Sequence, residues 1–348
     1  MKNMISRRNF LAAAGVVAAA GVLTACGGSS STAASGSTAA SGAAASAEGG
    51  VLNVMLETEV QSLDPQIATD GTSFEVIADY TDGLMQMDAD GAAVPALAET
   101  YDISEDGKTY TFHLKDAKWS NGDAVTAADF VFGWQRAVDP ANASEYAYML
   151  SDIGQVVNAA EIIAGSKPVT DLGVTAVDDH TLTYTLTYDF PGFLSLLCYL
   201  PYEPAYGPLL EETGDQFATS AETTYSCGAF YLAAYESLET WVMKKNPENY
   251  DADNVFIDTI SRIYNAEASV NGPEMIKRGE IDEATIGSDI LDSWLSDDTT
   301  KDMVSMDRPN TNYTYFYMFN FMPFSHEFSN WSVEGMDAET GEVHFREQ

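Results

Sequence analysis

Between residues 27 and 49 the chain is almost entirely glycine, serine, alanine and threonine, a composition too poor in apolar bulk to offset the entropy of ordering it. Whatever folds must lie beyond that stretch. Ahead of it stand Lys2, Arg7 and Arg8, then an apolar run over residues 10–23, then the small-residue sequence Leu23-Thr24-Ala25-Cys26. Basic, apolar and small segments in this order are the three parts of an export signal, and the apolar run is too short for a spanning helix. Residues 1–26 are therefore expected to be a lipoprotein signal peptide with Cys26 as the lipidated residue, followed by a flexible spacer over residues 27–49. A coil of that length reaches on the order of 25 Å. The mature chain is expected on the outer face of the cytoplasmic membrane, held there by its lipid.

The run Ser6-Arg7-Arg8-Asn9-Phe10-Leu11 is similar to a twin-arginine signal, which exports proteins already folded, though an ordinary basic segment fits the same residues. With 348 residues and 45% hydrophobic content, the chain can bury a sizeable core and divide into more than one domain. Sixteen basic against fifty-three acidic residues give a net charge of -37, which repels phosphate backbones and excludes nucleic acid as a partner. No run of like charge is long enough to act as a binding tail, so the acidity reads as surface solubility. Cys198 and Cys227, the two cysteines after Cys26, read as small buried thiols in a compartment that would permit a disulfide.

The ordered part opens at Val51-Leu52-Asn53-Val54-Met55-Leu56, expected as a strand buried on both faces. Asp106-Gly107 marks a hairpin between Tyr101-Asp102-Ile103 and Tyr110-Thr111-Phe112-His113-Leu114, and Asn121-Gly122 marks a second turn. Thr126 followed by Asp129 is a capping-box start for a helix whose apolar face is Phe130, Val131, Trp134 and Val138, ended by Pro140. Leu182, Tyr184 and Leu186 alternate as a strand after Asp178-Asp179. Pro201, Pro204 and Pro208 suit a crossing between lobes better than a secondary-structure element, and a domain boundary is expected there. A helix over residues 273–278 stopped by Gly279, a strand over residues 281–286 and an aromatic strand over residues 313–321 complete a mixed α/β chain with discontinuous lobes.

Chemistry finds little support. His113, His180, His326 and His344 are scattered without zinc-ligand spacing, and exposed structural roles are expected for the first two. Asp88-Ala89-Asp90-Gly91 resembles a calcium loop, but Gln86 and Leu97 fall where such a loop needs carboxylates, so it reads as a turn. Neither a nucleophile elbow nor a phosphate-binding glycine loop is present. A ligand cleft lined by aromatics is the better expectation, with Trp119 and residues 313–321 as the places to look.

Several segments together resemble the oligopeptide-binding proteins of ATP-driven peptide importers, family 5 of the extracellular solute-binding proteins. They are Ser62-Leu63-Asp64-Pro65, Asp82-Gly83-Leu84, Pro95-Ala96-Leu97-Ala98-Glu99, and the long run from Lys118-Trp119-Ser120-Asn121-Gly122-Asp123 to Trp134-Gln135-Arg136 and Asp139-Pro140. Ile163-Ala164-Gly165, Thr170-Asp171-Leu172-Gly173-Val174, Cys227-Gly228-Ala229-Phe230, Lys245-Asn246-Pro247 and Gly279-Glu280-Ile281-Asp282 continue it, so that it covers roughly residues 51–322. The resemblance implies an α/β, periplasmic-binding-protein-like fold of type II. Its lobe I would hold residues 51–81 and 206–322, and its small inserted lobe II residues 82–205. Residues 323–348 would begin a third lobe that is largely absent, as though the chain were a fragment.

The same resemblance implies ligand contacts at Tyr146 and in the loop of Thr69, Asp70, Gly71 and Thr72, where Thr69 stands in place of a glutamate that relatives can carry. Capture without bond making is the implied mechanism: an extended peptide pairs through its main chain, lobes close on it, and a membrane permease accepts it. The expected protein is a monomer without cofactor or metal and is no enzyme. A dipeptide, nickel complex or sugar is the alternative ligand within the family, and a surface hydrolase with paired carboxylates the alternative of another class.

Overall fold

A computed structural model describes residues 50–88 and 90–305, together with the backbone of Trp331–Met336 and Val343–Glu347. The signal, the spacer and the aromatic run at 313–321 lie outside the described residues. The chain divides into two units, one ending at Leu291 and one beginning at Asp292.

The first unit is built on two four-stranded sheets. One has the order β1 (Gly50–Leu56), β10 (Ile257–Tyr264), β9 (Thr240–Lys245), β8 (Phe230–Glu236), with β1 parallel to β10 and the other pairs antiparallel. The other is wholly antiparallel, in the order β4 (Ala98–Ile103), β5 (Thr109–Leu114), β7 (Thr181–Thr185), β6 (Val174–Asp178). A short hairpin of β2 (Met85–Met87) and β3 (Ala93–Pro95) precedes it, closed by the turn at Asp88, whose Oδ1 accepts from the Asp90 and Ala92 amides. Each sheet has its own core. Around the second sheet lie Tyr110, Phe112, Phe130, Trp134, Leu182, Tyr184, Phe193 and Tyr202, with Trp134 stacked on Tyr184 at 3.8 Å. Around the first lie Leu52, Val54, Val76, Ile77, Tyr80, Phe230, Trp241, Met243 and Ile260.

Local chemistry explains the elements that behave as expected. At the β4–β5 hairpin Gly107 takes φ 68°, open to glycine without strain, while Asp106 Oδ1 accepts from Ser104 Oγ and the Lys108 amide. Alternation in β5 buries Tyr110, Phe112 and Leu114 and leaves His113 on the polar face, 3.4 Å from Asp102. Helix α1 (Gly71–Tyr80) begins at Asp70, whose carboxylate accepts from the Ser73 amide at 2.8 Å. At the start of α2 (Ala127–Val138) the Asp129 carboxylate accepts from the Thr126 amide at 2.8 Å and from its hydroxyl at 3.1 Å.

Four expectations need correction. β1 is fully buried on one face only: Leu52, Val54 and Leu56 lie in the core, whereas on the other face Asn53 and Met55 are half-buried, with the helix of Gly272 near Met55, and Val51 is 56% exposed. Pro201 and Pro208 do enter short helical elements, a 3₁₀ turn over Leu200–Tyr202 and the first turn of α3 (Gly207–Thr213), where a missing amide hydrogen costs nothing. The helix around Pro273 starts earlier, so that α4 spans Ala268–Arg278 with the proline inside, Gly272 packed on Met55 and Ala284, and Gly279 ending it at φ 68°. Residues 281–286 form no strand. There the Asp282 amide donates to the Asn53 carbonyl at 2.8 Å, but the Asp282 carboxylate takes the Asn53 amide at 2.7 Å, the donor that a ladder carbonyl would have taken, and this single contact is not continued as a ladder.

Cys198 and Cys227 are free, and burial pushes the Cys198 thiol up to about 12. In the second unit, Thr300 donates to the Trp294 carbonyl at 2.8 Å, and β11 (Trp331–Met336) pairs antiparallel with β12 (Val343–Glu347).

Candidate functional site

The start of α1 brings the sequence-derived residues to one place. Thr69 and Gly71 are exposed, and a side chain added at Gly71 would meet nothing within 4 Å, so the main chain there is open to approach. Asp70 is committed to the helix: besides the Ser73 amide, it accepts from Ser73 Oγ at 2.5 Å. That buried hydroxyl in turn accepts from the Gln61 and Ser62 amides at 2.9 and 3.1 Å. Thr72 shares a hydroxyl hydrogen bond with Thr58. Of the four loop residues, Gly71 thus presents open backbone, Thr69 is exposed, and Asp70 and Thr72 hold the loop in shape.

Tyr146 comes from a different part of the chain and reaches the same helix. Its ring meets Phe74, on the first turn of α1, edge-on at 5.5 Å, and stacks on Tyr148 at 5.8 Å. Tyr148 is 44% exposed and Ile67, beside the loop, 39%. The backbone around the two tyrosines is irregular: Met149–Ile153 is a π-turn, and Ala143, Gln155 and Asn158 are left-handed with φ of 49°, 53° and 67°. Such conformations cost of order 1–3 kcal/mol each, and they gather where a ligand surface must be shaped. A surface cleft of about 310 Å³ adjoins Ile67 and is lined also by Val60, Gln61, Phe217, Tyr235 and Trp241.

Below this surface lies a buried polar network. The guanidinium of Arg136, on α2, holds both Asp64 oxygens, Nη1 to Oδ1 at 3.0 Å and Nη2 to Oδ2 at 2.7 Å, and Nη1 donates to Gln66 Oε1 at 2.8 Å. Gln66 Nε2 donates to the Glu203 carbonyl at 3.0 Å, and Ser144 Oγ to the Gln66 carbonyl at 2.6 Å. The Glu203 carboxyl is buried against Gly83, and burial, with Asp82 nearby, pushes its pKa well above the usual carboxylate range. Sequence reasoning gave Asp64 and Arg136 no role beyond motif membership and missed Phe74, Gln66 and Ser144; the partners lie too far apart in the chain for spacing to reveal them.

Trp119 sits on the inner side of the fold. It is buried, donates Nε1 to Asp129 Oδ2 at 3.3 Å, and borders a cavity of about 20 Å³, enough for one water. Burial also raises the pKa of Asp129.

Comparison with known proteins agrees with this architecture. Residues 4–24 match the twin-arginine translocation pathway signal sequence, which decides the reading of Arg7-Arg8 and gives export to the extracytoplasmic space. The chain is 38% identical over 226 residues to the periplasmic oligopeptide-binding protein OppA of Escherichia coli, covering 65% of this chain and 41% of the relative. To the dipeptide-binding protein of Lactococcus lactis it is 35% identical over 269 residues, 75% of this chain and 46% of the relative. To the probable deoxycholate-binding periplasmic protein YgiS of Escherichia coli it is 37% identical over 222 residues, 64% and 41%. Among solved structures, the substrate-binding domain of a Bacillus anthracis oligopeptide ABC transporter aligns with a TM-score of 0.67 at 36% identity over 71% of this chain and 47% of that one. Listeria monocytogenes OppA bound to peptide aligns with a TM-score of 0.67 at 31% identity over 71% and 48%. The chain spans less than half the length of these relatives. Residues 92–333 match the bacterial extracellular solute-binding proteins, family 5 Middle, and the chain belongs to that family of binding proteins.

Proposed function

We propose that the protein is a lipid-anchored binding protein that captures oligopeptides outside the cytoplasmic membrane and delivers them to the permease of an ATP-driven importer. The observation that carries this reading is the open main chain at Gly71 on the same helical turn as Phe74, whose ring meets Tyr146, itself stacked on Tyr148. Free backbone groups at the start of a helix pair with a peptide main chain whatever its sequence, and exposed rings pack against its side chains without demanding one kind. Two separate cores support lobes made of residues 51–81 with 206–322 and of residues 82–205, with residues 323–348 opening a third. Closure of lobes over the peptide favours the closed form by the ligand's preference for it. Cys26 supplies the lipid and residues 27–49 the tether.

A second reading keeps the fold and changes the ligand, because relatives named for a dipeptide and for deoxycholate are about as similar as those named for oligopeptides. The test is mass spectrometry of ligands that co-purify with the full gene product, followed by calorimetry with tri- to pentapeptides, dipeptides and deoxycholate in parallel. Heat with the longer peptides alone supports the first reading. Heat only with a dipeptide or the bile acid replaces it with the second, and silence from all three rejects both.

A further inference from the structure

The buried network under the candidate site joins the two segments that carry it. Asp64 and Gln66 lie just before Thr69, Ser144 lies two residues before Tyr146, and Arg136 on α2 connects them. The Asp64 and Arg136 side chains are each 9% exposed, and Gln66 is 1% exposed. Such a pair has little to recommend it as a source of stability, since two well-packed apolar side chains serve a core as well or better. What a fork of hydrogen bonds gives, and an apolar contact does not, is a fixed register. Here it fixes the backbone of both segments. The Asp64 carboxylate also accepts from the Gln66 amide at 3.0 Å, the Asp64 carbonyl from the Ile67 and Ala68 amides, and the Arg136 carbonyl from Asn142 Nδ2 at 3.0 Å.

Resting on the reading that this surface binds peptides, we infer that Asp64, Gln66, Arg136 and Ser144 are positioning residues. They set the Thr69 to Thr72 loop against Tyr146 at the spacing an extended peptide requires. None of the four touches the ligand. They act through the two segments they hold.

The Ser144→Ala variant tests this mildly, because it removes one part-buried hydrogen bond and leaves the ion pair intact. We expect peptide affinity to fall about 5-fold with little change in the urea midpoint, and Ser144→Thr, which keeps the hydroxyl, to restore it. Arg136→Lys keeps the charge and loses the fork, and affinity is expected to fall about tenfold or more. Hydrogen exchange on the ligand-free protein supplies a second readout. Amides at residues 67–72 and 146–148 should exchange faster together in Arg136→Lys, while those in the middle of β5 and β7 do not change. Affinity that tracks the urea midpoint across the variants, or exchange that rises everywhere or in one segment alone, assigns the network a purely structural role and overturns the inference. Failure of the unsubstituted protein to bind any peptide rejects the functional reading instead, and the exchange result then still decides whether the two segments are coupled.

Discussion

Gly133 offers a substitution for which helix propensity and packing predict opposite signs. It sits inside α2, where alanine in place of glycine ordinarily stabilises by about 1 kcal/mol. A methyl group there would stand 2.6 Å from the Glu203 carbonyl oxygen and 3.2 Å from the Ala205 amide nitrogen. Both are backbone, and both are held: the carbonyl accepts from Gln66 Nε2 at 3.0 Å, and the amide donates to the Asp129 carbonyl at 3.1 Å. Relief therefore requires α2 to move away from residues 203–205, carrying Trp134 off its bond to the Tyr202 carbonyl. Overpacking of that kind costs up to about 3 kcal/mol. After the propensity gain, Gly133→Ala should be less stable by about 2 kcal/mol. Urea unfolding followed by tryptophan fluorescence should show a lower midpoint at unchanged slope. Gly71→Ala is the control, since nothing stands near its added methyl and α1 should gain a few tenths of a kcal/mol. A Gly133→Ala protein as stable as the parent would refute the claim that α2 lies directly on the crossing segment.

Three further outcomes follow from the same geometry. Glu203 holds a proton in the folded protein that it loses more readily when unfolded. Its contribution is fully present below the unfolded value of about 4.3 and is lost as pH rises through the raised folded value. Urea midpoints of wild type and Glu203→Gln measured from pH 4 to 8 should accordingly diverge in favour of the variant as pH rises, and parallel curves would contradict a buried neutral acid. Asp129→Ala removes the cap of α2 and strands the buried Trp119 Nε1, so thermal unfolding should show a loss of about 2–4 kcal/mol, larger than a cap alone explains. Cys26→Ser should move the protein from the membrane fraction to the soluble one, and unchanged fractionation would remove the lipid from the account.

The features legible in the sequence are those whose cause is local. Gly107 turns a hairpin, Asp129 caps a helix and Gly279 ends one because each acts on residues within four positions of itself. The half-burial of one face of β1 is not legible, because an apolar run does not reveal which of its faces another element covers, and its partner strand comes from far along the chain. The strand expected over residues 281–286 is reduced, for a similar reason, to one main-chain bond at Asp282, whose carboxylate takes the Asn53 amide. At the site, Thr69 to Thr72 and Tyr146 came from resemblance and not from spacing. Arg136 and Asp64, 72 positions apart, gave no signal that they would meet.

The place of β1 sets an order of events on the folding chain. Its first hydrogen bonds run to β10 and to Asp282, the latter 229 positions away, so the first structured strand to leave the ribosome is among the last to find its partner. Until it docks, the sheet edge beside β10 stays unpaired and the apolar side chains beneath it stay wet. A chain bearing a twin-arginine signal completes that docking before it crosses the membrane, in a compartment that keeps thiols reduced. Cys227, buried in the core of the second sheet, and Cys198, half-buried against it, then reach oxidising surroundings in a chain that has already folded around them.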